Sequence, residues 1–130
     1  MVHLPRLVLA VAALDSLAMG VWASAFPDQL FTLLQVKTPT DGFLWPVLGL
    51  LYLANAVCLV GTAVWPAEYG SLTLVPWVGR LLSCGMWLWL LGSTHIAPAH
   101  EPLWWLLAHD AFWLALLSGV LVAHFASRRR

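Results

Sequence analysis

Long apolar stretches alternate with short polar segments along this chain. Four of the stretches have about the 20 residues that an α-helix needs to cross a hydrocarbon core about 30 Å thick. They cover residues 7–26, 43–65, 72–91 and 103–125. Prolines, glycines and aspartates occur between them, where turns are expected. The pattern predicts an all-α protein, an integral membrane four-helix bundle that forms a single domain over residues 1–130.

A shorter apolar segment follows the first predicted span. Pro27 suits the first turn of a helix, and the residues from Leu30 to Val36 are largely apolar. Lys37 and Pro39 then end the pattern. About ten residues are too few to cross a bilayer. We therefore expect a short helix that lies at the outer interface of the membrane.

Composition supports a membrane protein and limits the classes of partner. Of the 130 residues, 62% are hydrophobic and 9% are charged, and the mean hydropathy is +0.85. Soluble domains are much less apolar than this. The formal net charge is +0, so no broad basic surface for nucleic acid is expected. The expected partners are the lipid bilayer and other membrane proteins.

Basic residues near the two ends predict the orientation in the membrane. Arg6 precedes the first span, residues 128–130 are all arginine, and Lys37 is the one basic residue of the predicted loops. Lysine and arginine concentrate on the cytoplasmic side of membrane proteins, so both termini are expected in the cytoplasm. The chain is predicted to be a multi-pass protein of the bacterial inner (cytoplasmic) membrane.

Each predicted span contains a polar or charged residue near its middle. These residues are Asp15, Asn55, Arg80 and Asp110, and His109 adjoins the last of them. At 1.5 Å rise per residue they lie about 14 Å from an edge of the membrane core, close to its midplane. An arginine without a partner is costly in lipid, so we expect Arg80 to contact Asp15 or Asp110.

Two interpretations of this midplane polar layer stay open. In the first, the layer is structural: Arg80 bridges a carboxylate, and Asn55 completes the hydrogen bonds. In the second, the layer is a proton or ligand site, in which the other carboxylate and His109 exchange protons.

Four aromatic side chains share helix faces with the polar layer: Tyr52, Trp77, Trp87 and Trp113. They are candidates to line an apolar pocket for a quinone or a lipid, the cofactors that the sequence suggests. The alternative explanation is core packing together with aromatic belts at the interfaces, which accounts for most of the nine tryptophans.

Small residues recur every four positions in the first and last spans. The stripes are Ala12, Ser16, Gly20 and Ser24 in the first span, and Ala111, Ala115, Gly119 and Ala123 in the last. Such stripes allow helix backbones to approach closely in lipid. Either the two helices pack together, or one stripe faces another membrane protein or a second copy in a homo-oligomer.

The sequence predicts neither a catalytic residue nor a metal site. His95, His100 and Glu101 lie near one another in the last predicted loop, but their spacing matches no familiar zinc pattern. Cys58 and Cys84 lie at predicted depths about 10 Å apart, too far for a disulfide.

Three short motifs carry a resemblance to a known family. They are residues 26–39, which begin Phe-Pro-Asp-Gln-Leu-Phe and end Lys-Thr-Pro, the Gly79-Arg80 step, and the sequence His-Asp-Ala-Phe-Trp at 109–113. In this order they resemble the small bacterial four-helix membrane proteins of the DoxX-like type. The resemblance implies a four-helix bundle and an association with membrane redox systems, and it supplies no catalytic residues.

Together these features favour a non-catalytic accessory or structural subunit of a larger bacterial membrane complex, such as one for electron transfer. Helix-packing surfaces and tryptophans are plentiful, whereas no span pairs a nucleophile with a base. Two alternatives stay open. One is a quinone- or lipid-binding membrane redox protein. The other is a small proton-coupled transporter that uses Asp15, Arg80, His109 and Asp110.

Overall fold

The computed structural model describes residues 3–33, 44–92 and 101–128. Every element in these ranges is helical, which confirms the predicted all-α class. In chain order the elements are α1 (His3–Ala25), α2 (Gln29–Leu33), α3 (Leu44–Val64), α4 (Pro66–Tyr69), a 3-10 turn (Gly70–Thr73), α5 (Leu74–Gly92) and α6 (Glu101–Arg128). The four long helices are α1, α3, α5 and α6.

Within the described ranges, three helices are long and apolar enough to cross a membrane: Leu4–Ala25, Trp45–Val64 and Glu101–Arg128. Their outward faces carry large exposed hydrophobic side chains, as at Val57, which is 73% exposed. A surface of this kind suits lipid better than water. The remaining long helix, α5, has 19 residues and extends about 28 Å.

The ends of some helices differ from the predicted spans. Pro66 opens α4, and Glu68 lies in its first turn, where an acidic side chain interacts favourably with the helix N-terminus. The connection after α3 is therefore helical, and α5 begins at Leu74 rather than at residue 72. The short helix predicted after the first span corresponds to α2, and residues 34–36 of that prediction lie outside the described ranges.

The most extensive helix contact joins α1 to α3, and small residues make it possible. A Cβ atom at Gly49 would lie 2.5 Å from the hydroxyl oxygen of Ser24 and 2.9 Å from the Ser24 backbone nitrogen. A Cβ atom at Gly20 would lie 2.7 Å from Cγ of Leu53. Gly20 and Ser24 of the first small-residue stripe therefore pack against α3.

The corresponding stripe of α6 points away from the bundle. All four of its residues are exposed: Ala111, Ala115, Gly119 and Ala123. Contacts between α1 and α6 are few, because α6 packs mainly on α5. The arrangement in which the stripes of the first and last spans pack together is therefore wrong. The other arrangement, in which one stripe faces a second protein, stays a prediction.

Two hydrophobic clusters fill the bundle on either side of its polar residues. One consists of the buried residues Ala23, Trp45, Trp87 and Leu103. The other consists of Leu9, Ala12, Ala13, Leu59, Trp113 and Leu117. The polar side chains near the middle of each long helix are enclosed between these clusters.

Candidate functional site

Arg80 lies in the interior of the bundle, where its side chain bridges two carboxylates. Its Nη2 is 2.5 Å from Oδ2 of Asp15, and its Nη1 is 2.5 Å from Oδ1 of Asp110. Nη2 also donates a hydrogen bond to the Ser16 hydroxyl at 3.2 Å. Arg80 is 1% exposed. The predicted contact between Arg80 and a midplane carboxylate is confirmed, and it includes both aspartates.

Asp110 accepts hydrogen bonds from three neighbouring side chains. The Tyr52 hydroxyl lies 3.0 Å from Oδ1, and Trp87 Nε1 donates to Oδ2 at 2.8 Å, in addition to the bond from Arg80. The guanidinium carbon of Arg80 lies 4.8 Å from the centre of the Tyr52 ring, a cation–π contact. Asp110 is 1% exposed, so its charge is compensated by these donors and not by solvent.

His109 extends the network towards α1. Its Nε2 lies 2.7 Å from Oδ1 of Asp15. Its Nδ1 lies 3.3 Å from Oδ1 of Asp110 and 3.5 Å from Nη1 of Arg80. An unprotonated Nδ1 accepts a hydrogen bond from Arg80, whereas a protonated Nδ1 donates one to Asp110. The protonation state of Nδ1 therefore decides whether this nitrogen pairs with Arg80 or with Asp110.

One edge of the network is less enclosed than the rest. The side chain of Asp15 is 21% exposed and that of His109 is 30% exposed, compared with 1% for the side chain of Asp110. Successive residues of an α-helix point about 100° apart, so Asp110 can face the interior while His109 faces α1. The partly exposed pair lies where α1 and α6 make few contacts.

Asn55 lies beside this network and is not bonded into it. It is 2% exposed and packs against α5, where a Cβ atom at Gly79 would lie 2.7 Å from its Nδ2. Among the described residues its Oδ1 has no hydrogen-bond partner. The prediction that Asn55 completes the hydrogen bonds of Arg80 is therefore wrong, because its side chain faces the backbone of Gly79 instead.

The four aromatic residues predicted to line a pocket contribute to the core. Tyr52 and Trp87 are buried and donate hydrogen bonds to Asp110. Trp113 packs in the cluster around Leu117, and Trp77 donates from Nε1 to the Ser118 hydroxyl at 2.7 Å. Sequence reasoning placed Tyr52 and Trp87 on the correct helix faces, but it did not identify them as donors. It also missed Ser16, which it treated only as a small residue.

The remaining residues considered in the sequence analysis are two histidines and a glutamate of the last predicted loop and the two cysteines. His95 and His100 lie outside the described ranges, and Glu101 is the exposed first residue of α6. No group of metal-binding side chains occurs within the part of the chain that the structure describes. Cys58 and Cys84 are both free thiols.

Comparisons with known proteins leave the family of this chain undetermined. No family model, curated protein or solved structure matches it. The resemblance to DoxX-like proteins therefore stays a prediction from three short motifs.

Proposed function

We propose that this protein is a non-catalytic accessory subunit of a larger assembly in the bacterial inner membrane, and that the Arg80 network holds its helices together. One continuous set of hydrogen bonds joins all four long helices through Asp15, Tyr52, Arg80 and Asp110. Within this set Arg80 is paired with both carboxylates. This observation carries the proposal, because buried paired charges fix one arrangement of helices without requiring a substrate.

The proposal includes four membrane spans. With about 28 Å of helix, α5 is long enough to cross the hydrocarbon core. Arg80 in its first half is paired with two carboxylates, which offsets much of the penalty for an arginine in lipid. Arg6 near the start of α1 and Arg128 at the end of α6 belong to one end of the bundle, and we assign that end to the cytoplasm.

The proposed contact with the rest of the assembly is the outward face of α6. Its exposed small residues permit a transmembrane helix of another protein to approach the α6 backbone closely. At Gly119, the structure leaves open space within 4 Å of a Cβ atom. The α6 stripe is exposed along its length, in contrast to Gly20 and Ser24 of the α1 stripe, which contact α3.

The test is purification of the tagged chain from the cells that produce it, in mild detergent, followed by native mass spectrometry. We expect a second membrane protein to copurify. Gly119→Leu should remove that protein, because the new side chain occupies the proposed contact. Gly61→Leu is the matched control, since a Cβ atom at Gly61 also meets nothing within 4 Å, but on α3. A chain that purifies only as a monomer, with no copurifying membrane protein, would overturn the proposal.

A second candidate function is proton-coupled transport, and the less enclosed edge of the network favours it. Asp15 and His109 are partly exposed, and the pairing of Nδ1 changes with the protonation of His109. A group that exchanges hydrogen-bond partners when it takes up a proton is a feature of proton relays.

Liposomes that contain only the purified chain distinguish this candidate from the first. Proton uptake driven by a solute gradient, abolished by Asp15→Asn and His109→Gln, would favour transport over the accessory role. The control is Ser118→Ala, which removes a hydroxyl on α6 that bonds to Trp77 outside the Arg80 network. No proton flux above that of protein-free liposomes is expected for the accessory subunit.

A further inference from the structure

A groove of about 610 Å³ runs along the outer surface of the bundle between α1 and α3. Buried alanines such as Ala13 and Ala56 line it, together with larger, exposed side chains such as Leu14 and Val57. All ten residues that line the groove are alanine, valine or leucine. The groove is therefore apolar along its whole length, and it contains no residue of the Arg80 network.

The packing of α1 on α3 explains where this groove ends. Where the two helices meet at Gly20, Leu53 fills the space between them, since a Cβ atom at Gly20 would lie 2.7 Å from Cγ of Leu53. From Leu53 towards the end of α3, the small side chains of Ala56 and Ala63 leave the groove open. Leu53 and Leu17 therefore close the groove at one end.

The groove has the depth of one leaflet of a membrane. On α3 it extends from Leu53 to Val64, which is about 16 Å at 1.5 Å rise per residue and half of a hydrocarbon core about 30 Å thick. Leu53 lies near the midplane depth predicted for Asn55. Trp65, which follows Val64, is exposed, as is usual for a tryptophan at a membrane interface. This depth matches one lipid acyl chain, whereas a transmembrane helix would extend through both leaflets.

The open end of the groove lies next to a positive charge. Ala10, Ala13 and Leu17 line the groove from one face of α1, and Arg6 precedes Ala10 on that face by about one turn. A second depression on the surface of α1 is lined by both Ala10 and Arg6, so it joins the groove to the arginine. Of the described residues that line either depression, only Arg6 is charged. An arginine at the membrane surface attracts anionic lipids.

We propose that the groove between α1 and α3 holds one acyl chain of an anionic phospholipid, whose headgroup lies beside Arg6. The apolar groove supplies most of the binding, and the exposed arginine supplies a modest preference among headgroups. The proposal depends on α1 and α3 as membrane helices, for which both are long and apolar enough. It is independent of the accessory role, because it uses neither the Arg80 network nor the outward face of α6.

Photo-crosslinking of the purified full-length protein in phosphatidylcholine vesicles tests the site. The probe is a phosphatidylglycerol whose acyl chain carries a diazirine, and mass spectrometry of peptides locates its adducts. We expect more adducts at Leu14 and Val57 in the groove than at Leu82 and Val122 outside it, although all four side chains are 64–73% exposed. Unlabelled phosphatidylglycerol should suppress the groove adducts, because a specific site saturates. Equal labelling of the groove and of the other two positions would overturn the proposal.

A large side chain placed in the groove should displace the acyl chain. Ala10 is exposed, so Ala10→Phe fills the groove without disturbing the core. Adducts at Leu14 and Val57 should then fall to the level found at Leu82. Ala18→Phe is the matched control, since Ala18 is also exposed on α1 but does not line the groove. Unchanged labelling of the groove in Ala10→Phe would contradict the proposed position of the lipid.

The headgroup preference is measured with a phosphatidylcholine probe that carries the same acyl chain. The original protein should be labelled about threefold more by the phosphatidylglycerol probe, and Arg6→Gln should remove this preference. Arg128→Gln removes a positive charge at the same end of the bundle, outside both depressions, and should retain it. Equal labelling of the original protein by the two probes would rule out an anionic lipid. Protection of the groove from both probes, with a dimer in the native mass spectrum, would replace the lipid by a second copy of the protein.

Discussion

At the scale of single residues, Asp110 contributes more to the network than Asp15 does. Asp110 is buried and accepts bonds from Tyr52, Arg80 and Trp87, whereas Asp15 is partly exposed. Removing one partner of a buried charge pair leaves the other charge uncompensated. The two aspartates bind the same guanidinium, so a comparison of their variants measures the combined effect of burial and of the further donors to Asp110.

We expect Asp110→Asn to lower the free energy of unfolding by about 3 kcal/mol, and Asp15→Asn to lower it by clearly less. Tyr52→Phe removes one neutral donor and should have an effect of about 1 kcal/mol. Reversible unfolding in mixed detergent micelles, followed by circular dichroism, measures all three. Equal losses for the two aspartate variants would show that neither burial nor the additional donors make Asp110 the more stabilising partner of Arg80.

Arg80 should be strongly coupled to Asp110. Arg80→Met leaves two carboxylates without their cation and should destabilise the protein by about 3–5 kcal/mol. Adding Asp110→Asn removes one of those carboxylates, so the double variant should lose at least about 1 kcal/mol less than the sum of the single variants. The same unfolding assay measures this difference. If the two losses in the free energy of unfolding simply add, the two side chains do not interact in the folded protein.

Much of the network could be predicted from the sequence, because the rise of an α-helix is constant. Counting residues from the span edges was enough to predict that Arg80 meets at least one of Asp15 and Asp110, and the structure shows contacts with both. Counting could not exclude Asn55, since depth alone does not specify which neighbour a side chain faces. The contact of Asn55 with Gly79 depends on how α3 is rotated against α5, and no local pattern encodes that rotation.

At the scale of elements, the bundle depends on the close approach of α1 and α3. Gly49 faces Ser24 so closely that even a methyl group would displace a backbone nitrogen. Backbone atoms cannot move aside as a flexible side chain can. A single carbon atom added at Gly49 is therefore expected to shift α1 relative to α3.

We expect Gly49→Ala to lower the free energy of unfolding by about 1–3 kcal/mol through overpacking at this contact. Gly85→Ala is the control, because a Cβ atom there meets nothing within 4 Å, and alanine favours a helix over glycine. The control should be neutral or stabilised by up to about 1 kcal/mol. A Gly49→Ala protein as stable as the control would show that the two helices are not in tight contact.

The long helices themselves were predictable, while their pairing was not. Hydrophobicity sets the length of a membrane helix, so the long helices lie where the apolar stretches predicted them. A small-residue stripe identifies a face that can pack closely, but it does not specify the partner. For α1 the partner is α3, and for α6 the stripe is exposed at Gly119 and its neighbours.

At the scale of the whole molecule, the start of α1 and the end of α6 meet at one end of the bundle, beside a cavity of about 300 Å³. Arg6 and Ser127 both line it, and Arg128 donates to the backbone carbonyl of Ala67 at 3.4 Å. One end of the bundle therefore contains both arginines and the connection between α3 and α5.

The four spans that we propose would put both ends of the chain on the same side of the membrane, and the positive-inside tendency of arginine predicts that this side is the cytoplasm. We expect a green fluorescent protein fused after residue 130 to be fluorescent and an alkaline phosphatase fused there to be inactive. Phosphatase fused within residues 93–100 should be active, because an odd number of spans precedes it. An active phosphatase at the C-terminus, together with an inactive one within residues 93–100, would contradict the orientation. Activity at both positions would contradict the number of spans.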